Sequence, residues 1–231
     1  MKTLYTTPFS GEYWRSACLE LKKPLILAFA AMMIVLRVVL KAVEIPVGPY
    51  LNITTGFFVN ALGAMVFGPI VALLAAMITD TLGCMLFPVG PYFFPFIFVE
   101  MTSSLIFALF LYRTKLTAWR VLLSRFSVMV ICNLILNPAL LVLYNRMILG
   151  GDYAFLALPR VIKNLCLFPA ESFLLLLFLN VMRPITNRMG FTYGNQEKLR
   201  FTKQHVIGLI ALTLVSAAAV AFYSYYRIHL K

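Results

Sequence analysis

Long apolar stretches, separated by short polar or proline- and glycine-rich segments, make up most of the chain. A helix of about 20 apolar residues crosses the hydrocarbon core of a bilayer. The second segment is short and joins the third through Gly68-Pro69, which predicts a tight, uncharged turn. The pattern as a whole predicts seven membrane helices, at about 24–43, 53–67, 69–87, 94–112, 120–145, 160–183 and 205–226.

The composition agrees with this pattern. Of 231 residues, 62% are hydrophobic and 12% are charged, and the mean hydropathy is +0.91. A soluble domain is about half apolar and a quarter charged. The chain is therefore predicted to be an all-α integral membrane bundle. Its first apolar run begins at Pro24 and is long enough to be a membrane helix rather than a removed signal peptide.

The net charge of +12 is a topology signal rather than a nucleic-acid footprint. If the N-terminus is cytoplasmic, thirteen of the 20 lysine and arginine residues, with Arg125 among them, fall on the inner side, six fall on the outer side, and Arg37 lies within the first membrane helix. Positive charge marks the cytoplasmic side of a membrane protein. The predicted organisation is a cytoplasmic N-terminal segment, a six-helix domain, a basic cytoplasmic linker, and a seventh helix with an outer tail, at 1–23, 24–183, 184–204 and 205–231.

With this orientation, the polar residues inside the apolar segments fall mostly in the outer half of the bilayer. A charged group at membrane depth costs at least a few kcal/mol unless it is paired or hydrated. Two explanations stay open: a polar cavity open to the outside, or internal ion pairs such as Arg37 with Asp80 or Glu100. Pro138 and Pro169 favour the cavity, because a proline within a helix frees a backbone carbonyl. The candidate cavity residues are Arg37, Lys41, Asp80, Glu100, Asn137, Arg160, Lys163 and Asn164.

Two predicted outer loops, 43–56 and 87–96, both contain Val-Gly-Pro followed by a tyrosine. The tyrosines are Tyr50 and Tyr92. Proline and glycine together build stiff, sharply turned loops, and aromatic rings offer flat apolar faces. Such loops suit a lid over a flat ligand. The alternative is an aromatic belt at the lipid headgroups.

Other chemistry is poorly supported by the sequence. There is no HExxH, CxxC or histidine cluster, so no metal site or cofactor is predicted. The nucleotide-binding pattern GxxxxGK[ST] is also missing. An intramembrane enzyme with Glu100 and Glu171 as acid and base lacks a nucleophile–base pair. A membrane assembly protein without a ligand is the third class considered.

Several segments resemble the S components of energy-coupling factor (ECF) vitamin transporters. They are IVLRVVLKAVEIP (34–46) and GAMVFGPIVALLAAMITDTLGCMLFPVGPYFFPF (63–96). FSGEYWRSACLELK (9–22) and LPRVIKNLCLFPAESFLLL (158–176) are most similar to the folate-specific members. The resemblance covers about residues 9–183, and the seventh segment departs from the six-helix pattern.

The resemblance implies a substrate-binding subunit in the cell membrane that captures a vitamin outside and is not itself an enzyme. Import would need a transmembrane T component and two cytoplasmic ATPases. Folate is the implied substrate, with riboflavin, thiamin, pantothenate or a queuosine precursor as alternatives. A carboxylate or asparagine would accept from the pterin, aromatic rings would stack on it, and a basic residue would hold the anionic tail. The basic candidates are Arg37, Lys41, Arg160 and Lys163.

Spacings of small residues four apart, Ala64 with Gly68 and Ala72 with Ala76, allow close helix approach. Either docking to another membrane protein or packing within the bundle would use them.

Overall fold

The structure is a computed structural model. It describes residues 8, 10–42, 44–48, 51–87, 93–151, 155 and 158–191, together with 211, 214 and 218. Tyr50, Tyr92, most of the predicted linker and most of the predicted seventh helix lie outside the described residues.

Helices dominate the described chain and confirm the predicted all-α membrane bundle. They are α1 (Gly11–Glu20), α2 (Pro24–Ala42), α3 (Gly56–Leu86), α4 (Ile97–Leu111), α5 (Ala118–Ser127), α6 (Asn137–Tyr144) and α7 (Leu158–Arg188). A 3₁₀ turn, Phe94–Phe96, leads into α4, and π-helical stretches at Val128–Leu136 and Asn145–Leu149 follow α5 and α6. Five stretches of the described chain are long and apolar enough to cross a membrane: Pro24–Lys41, Gly56–Leu86, Phe94–Leu111, Ala118–Ile148 and Arg160–Arg188.

The predicted second and third segments are the two limbs of α3. Gly68 interrupts the helix with φ 77° and ψ −179°, directly before Pro69. A straight helix would separate Gly56 from Gly83 by about 40 Å, yet both residues line one cavity. The limbs therefore fold back on each other at Gly68, as the sequence predicts.

The two limbs of α3 differ in length. The first, 56–67, rises about 18 Å from the turn and the second, 69–86, about 27 Å. The first is too short to cross a bilayer alone. Its residues from Val59 to Phe67 are all buried, so neighbouring helices rather than lipid surround it. Because the short limb stops about 9 Å below the end of its partner, space remains above its first turn.

Small residues let the helices pack closely around α3. Ala64, Gly68, Ala72 and Ala76 are all buried inside the bundle. Of the two uses that the sequence left open for these spacings, packing within the bundle is the one observed.

Two elements were not predicted from the sequence. One is α1, whose first turn is capped by Ser10, since its Oγ accepts from the Tyr13 N–H at 3.3 Å. The other is an antiparallel hairpin of β1 (Glu44–Gly48) and β2 (Leu51–Thr54) between α2 and α3. Pro46 and Gly48 suggest an irregular loop, but a two-stranded hairpin tolerates a proline because each strand has a free edge.

A buried carboxylate attaches α1 to the end of the bundle that holds the Gly68 turn, called here the closed end. The Glu20 side chain is 0% exposed and accepts from Lys23 and Arg113, each at 2.8 Å, and from the Tyr112 hydroxyl at 3.1 Å. Tyr13 donates its hydroxyl to the Ala108 carbonyl at 3.1 Å. Burial raises the pKa of the Tyr13 phenol above its usual value, so this group remains a neutral donor.

Candidate functional site

A cavity of about 420 Å³ lies above the short limb of α3, at the end of the bundle opposite the closed end. This volume falls in the usual range for a small-molecule site. Gly56 and Phe57 lie at the start of the short limb, so we describe them as the cavity floor. The remaining lining residues are Arg37, Leu40, Lys41, Asn60, Asp80, Gly83, Cys84, Phe87, Phe93, Phe96, Val99, Glu100, Ser103, Arg125, Val128, Cys132 and Asn133.

Four predicted residues meet in one ion-pair network along the wall. Arg37 Nη2 contacts Glu100 Oε2 at 2.7 Å, and Lys41 Nζ contacts Asp80 Oδ1 at 2.8 Å and Glu100 Oε1 at 3.6 Å. Arg37 is only 6% exposed, so its carboxylate partner is needed to offset the cost of burying the guanidinium. The sequence left open whether these residues line a polar cavity or form internal ion pairs, and the same four residues do both.

A second ion pair lies at the floor. Arg125 of α5 pairs with Glu171 of α7, and its guanidinium carbon lies 4.3 Å from the centre of the Phe57 ring. Such stacking on an aromatic face is a favourable position for arginine. Arg125 is 5% exposed, and its Nε makes no hydrogen bond within the described part of the chain.

The position of Arg125 corrects the charge count above. The sequence places this arginine among the cytoplasmic charges, but it lies inside the bundle and lines the cavity. The depth of Arg125 in its predicted segment was misleading, because its long side chain extends from α5 to Phe57 in the short limb of α3, which ends partway along the bundle.

Amides and hydroxyls extend the polar lining. The Asn60 amide donates to Ser103 at 3.1 Å and accepts from Ser104 at 2.7 Å, which joins the short limb to α4. Asn133 donates to the Asn164 side-chain oxygen at 2.9 Å. Asn133 belongs to the π-helical stretch after α5, and such stretches are common at functional sites.

Aromatic rings cover the apolar part of the cavity. Phe57, Phe87, Phe93 and Phe96 line it, and the Phe93 ring packs edge-on against Tyr144 at 5.3 Å between centroids. Phe87 and Phe93 flank the segment 88–92, which includes Tyr92 and is not described. A flat molecule in this cavity would meet ring faces and polar edges together.

The predicted residues divide into three groups. Arg37, Lys41, Asp80 and Glu100 line the cavity, whereas Asn137, Arg160 and Lys163 are half-buried and are not in its lining. Asn164 stands behind Asn133 and donates to the Arg160 carbonyl at 2.9 Å. Tyr50 and Tyr92 lie outside the described residues. The polar lining residues that the sequence did not single out are Asn60, Ser103 and Arg125, and Asn133 falls with Asn137 at the depth of the cavity in the sequence without being among the predicted site residues.

The fold and the cavity define a multi-pass membrane protein with a small-molecule site at one end of a helical bundle. The model of the family "ECF-type riboflavin transporter, S component" matches residues 22–166. The chain belongs to this family of S components, which are transporter subunits and not enzymes.

Two curated relatives are similar over most of their length. "Folate transporter FolT" of Clostridium novyi (strain NT) is 30% identical over 152 residues, which are 66% of this chain and 86% of that one. "Folate transporter FolT" of Leuconostoc mesenteroides is 34% identical over 145 residues, 61% of this chain and 77% of that one.

A solved structure, "Crystal structure of FolT bound with folic acid", shares the fold with a TM-score of 0.56 and 28% identity. The match covers 64% of this chain and 86% of that one.

Proposed function

We propose that this S component captures folate in the cavity above the short limb of α3 and passes it to the opposite side of the membrane. The observation that carries the proposal is the similarity to two folate transporters over most of their length. The cavity agrees with it, because carboxylates, amides and aromatic rings all line it.

The pterin end of folate fits this lining. Its amine and ring N–H groups are donors, and Asp80, Glu100 and Asn133 supply acceptor oxygens. Its ring carbonyl is an acceptor, for which Arg125 retains an Nε donor. The faces of the fused ring would lie against Phe57 and the phenylalanines at the mouth.

The glutamate tail of folate carries two carboxylates, and each needs a cation with which it can pair. Arg160 and Lys163 lie in the first turns of α7, next to Asn164, whose contact with Asn133 places this turn beside the cavity wall. These two residues are therefore proposed to hold the tail.

Riboflavin is the second candidate, because the matching family model carries its name. Riboflavin has a flat fused ring but no carboxylate. Folate binding should therefore depend on the basic residues Arg160 and Lys163, whereas riboflavin binding should not, and this difference can be measured.

Binding of purified protein in detergent should separate the two vitamins. By isothermal titration calorimetry we expect folate to bind and riboflavin not to bind. Lys163→Ala should weaken folate about tenfold, the effect of one lost charge-assisted hydrogen bond. It should leave pteroate, which lacks the glutamate, unchanged. Tight binding of riboflavin with no response to folate would reject the substrate and leave the family intact.

We further propose that import requires a T component and two cytoplasmic ATPases, as the family implies. The purified chain in vesicles should bind folate at its surface without accumulating it, with or without ATP. Accumulation should begin when the T component and ATPases are reconstituted with it. Accumulation driven by ATP in vesicles that hold only this chain would contradict the proposal.

The membrane orientation is also a proposal: a cytoplasmic N-terminus and a seventh helix that brings the C-terminus outside. An added C-terminal cysteine should react with an impermeant maleimide in intact cells. The background should carry serine at all four native cysteines, because Cys84 and Cys132 line the cavity and Cys18 is exposed on α1. Labelling of the added cysteine only after permeabilisation would show that residues 205–226 do not cross the membrane as predicted.

A further inference from the structure

Three stripes of residues follow one another around α1. Tyr13, Ala17 and Glu20 form the buried stripe that packs on the bundle. One position further along are Trp14, Cys18 and Leu21, of which Trp14 and Cys18 are exposed. One position further again are the exposed basic residues Arg15 and Lys22. Each step of one residue turns the helix by about 100°, so α1 presents a protein-facing side, then an apolar side, then a basic side.

This order matches a helix that lies flat in a membrane interface beside the bundle. Such a helix needs one side against its own protein, the next toward the acyl chains, and the next toward the phosphates. Trp14 is 39% exposed, and a partly exposed tryptophan ring is favourable where a protein meets the lipid headgroups. Leu19 is also exposed and lies in the same stripe as Arg15 and Lys22, so the basic side of α1 carries one apolar residue between its two cations.

The position of the chain's second tryptophan supports the same plane. Only two tryptophans occur in the sequence. Trp119 is 69% exposed and lies in the first turn of α5. It follows shortly after the end of α4, where Tyr112 and Arg113 contact Glu20 of α1. Both tryptophans therefore belong to the closed end, and tryptophan is enriched where a protein meets lipid headgroups.

The apolar side of α1 also continues into the exposed apolar side of α2, the first membrane helix. Leu25 is exposed in the first turn of α2, two residues after Lys23. The Glu20 contacts with Lys23, Arg113 and Tyr112 keep α1 pressed against the bundle beside this turn. The apolar side of α1 is thus continuous with surface that already faces the acyl chains.

We propose that α1 is an in-plane anchor that binds the headgroup layer of anionic phospholipids at the closed end. Trp14 lies at the depth of the upper acyl chain, and Arg15 and Lys22 contact the phosphates. This anchor requires residence in the membrane but does not depend on the identity of the vitamin.

Quenching of Trp14 fluorescence by brominated lipids tests the anchor. The protein used is the full chain with Trp119→Phe, which leaves Trp14 as its only tryptophan. In vesicles of brominated phosphatidylglycerol mixed with unbrominated phosphatidylcholine, we expect stronger quenching by bromine near the headgroup than near the end of the acyl chain. Placing the bromine on the phosphatidylcholine instead should quench less, because anionic lipid is enriched around α1.

The variant Arg15→Gln with Lys22→Gln tests the basic side. Each basic residue near a membrane surface contributes about a fivefold preference for anionic lipid, so the double variant should quench equally with either brominated lipid. Lys115→Gln, an exposed basic residue outside α1, is the matched control and should behave as the parent.

Two results would overturn the anchor. One is Trp14 emission that no bromine position quenches, which would place the apolar side in water or against protein. The other is equal quenching by the two brominated lipids in the parent protein. If Trp14 is unquenched in lipid alone but becomes shielded when a T component is added, the surface is a protein interface and the lipid proposal is wrong.

Discussion

Replacing Arg37 by alanine should lower the stability of the bundle by about 3 kcal/mol and weaken folate binding at least tenfold. Arg37 Nη2 lies 2.7 Å from Glu100 Oε2. Removing one member of a buried ion pair costs about 3–5 kcal/mol, because the other charge stays behind. The lower end applies here, since the Glu100 side chain is 30% exposed and Lys41 remains 3.6 Å from its other oxygen.

A double variant separates stability from binding. In Arg37→Met with Glu100→Gln, no uncompensated charge remains, so thermal unfolding in detergent should return most of the way to that of the parent. Folate binding should remain weak, because the carboxylate charge and the cation are both gone, although the amide oxygen of the introduced glutamine can still accept a hydrogen bond. Lys22→Ala, which removes an exposed basic residue, is the control and should change neither quantity. If Arg37→Ala unfolds and binds as the parent does, neither the ion pair nor the binding role proposed for this wall holds.

The substitution Gly68→Ala should be strongly destabilising, with a loss of several kcal/mol. The backbone at Gly68 has φ 77° and ψ −179°, a region occupied almost only by glycine, which costs about 1–3 kcal/mol for a residue with a side chain. An added Cβ would also lie 2.8 Å from Cζ of the Tyr112 ring. Overpacking of this kind costs about 1–3 kcal/mol more.

Two other glycines divide this effect into its parts. At Gly150, φ is 64° and ψ is 17°, a left-handed conformation that alanine adopts more easily than the one at Gly68. Nothing lies within 4 Å of an added Cβ there, so Gly150→Ala should show a smaller backbone cost and no clash. Gly56 also has open space and no positive φ, so Gly56→Ala should be nearly neutral for folding. Denaturant unfolding should rank the variants Gly56, Gly150, Gly68 in increasing damage. Equal effects at Gly150 and Gly68 would mean that neither the Tyr112 ring nor the backbone conformation at Gly68 adds to the damage.

The hydrophobic pattern was sufficient to locate the described membrane helices within a few residues. The turn at Gly68-Pro69 followed from residue chemistry, because glycine allows φ 77° and proline begins the next helix without needing its N–H. The cost of burying charge predicted a carboxylate partner for Arg37, either Asp80 or Glu100, and Glu100 is the partner observed. The contacts of Lys41 with Asp80 and Glu100 were not predicted.

Rotation about a helix axis was harder to predict than depth. Asn133 and Asn137 fall at a similar depth in one segment, but only Asn133 lines the cavity. The π-helical stretch between Val128 and Leu136 changes which side chains point inward, and nothing in the sequence marks where such a stretch begins. The amphipathic face of α1 was readable, since Tyr13, Ala17 and Glu20 recur at helical spacing, but a short polar helix is easily taken for a loop beside long apolar ones.

The unequal limbs of α3 imply how a bundle of this kind could be adapted to ligands of different length. The depth of the cavity is set by the number of residues between Gly56 and the turn at Gly68. Adding or removing one helical turn in this buried limb would move the floor by about 5 Å. The outer, lipid-facing helices would keep their length and their match to the bilayer. A single internal segment thus controls the capacity of the site, separately from the surfaces that meet the membrane.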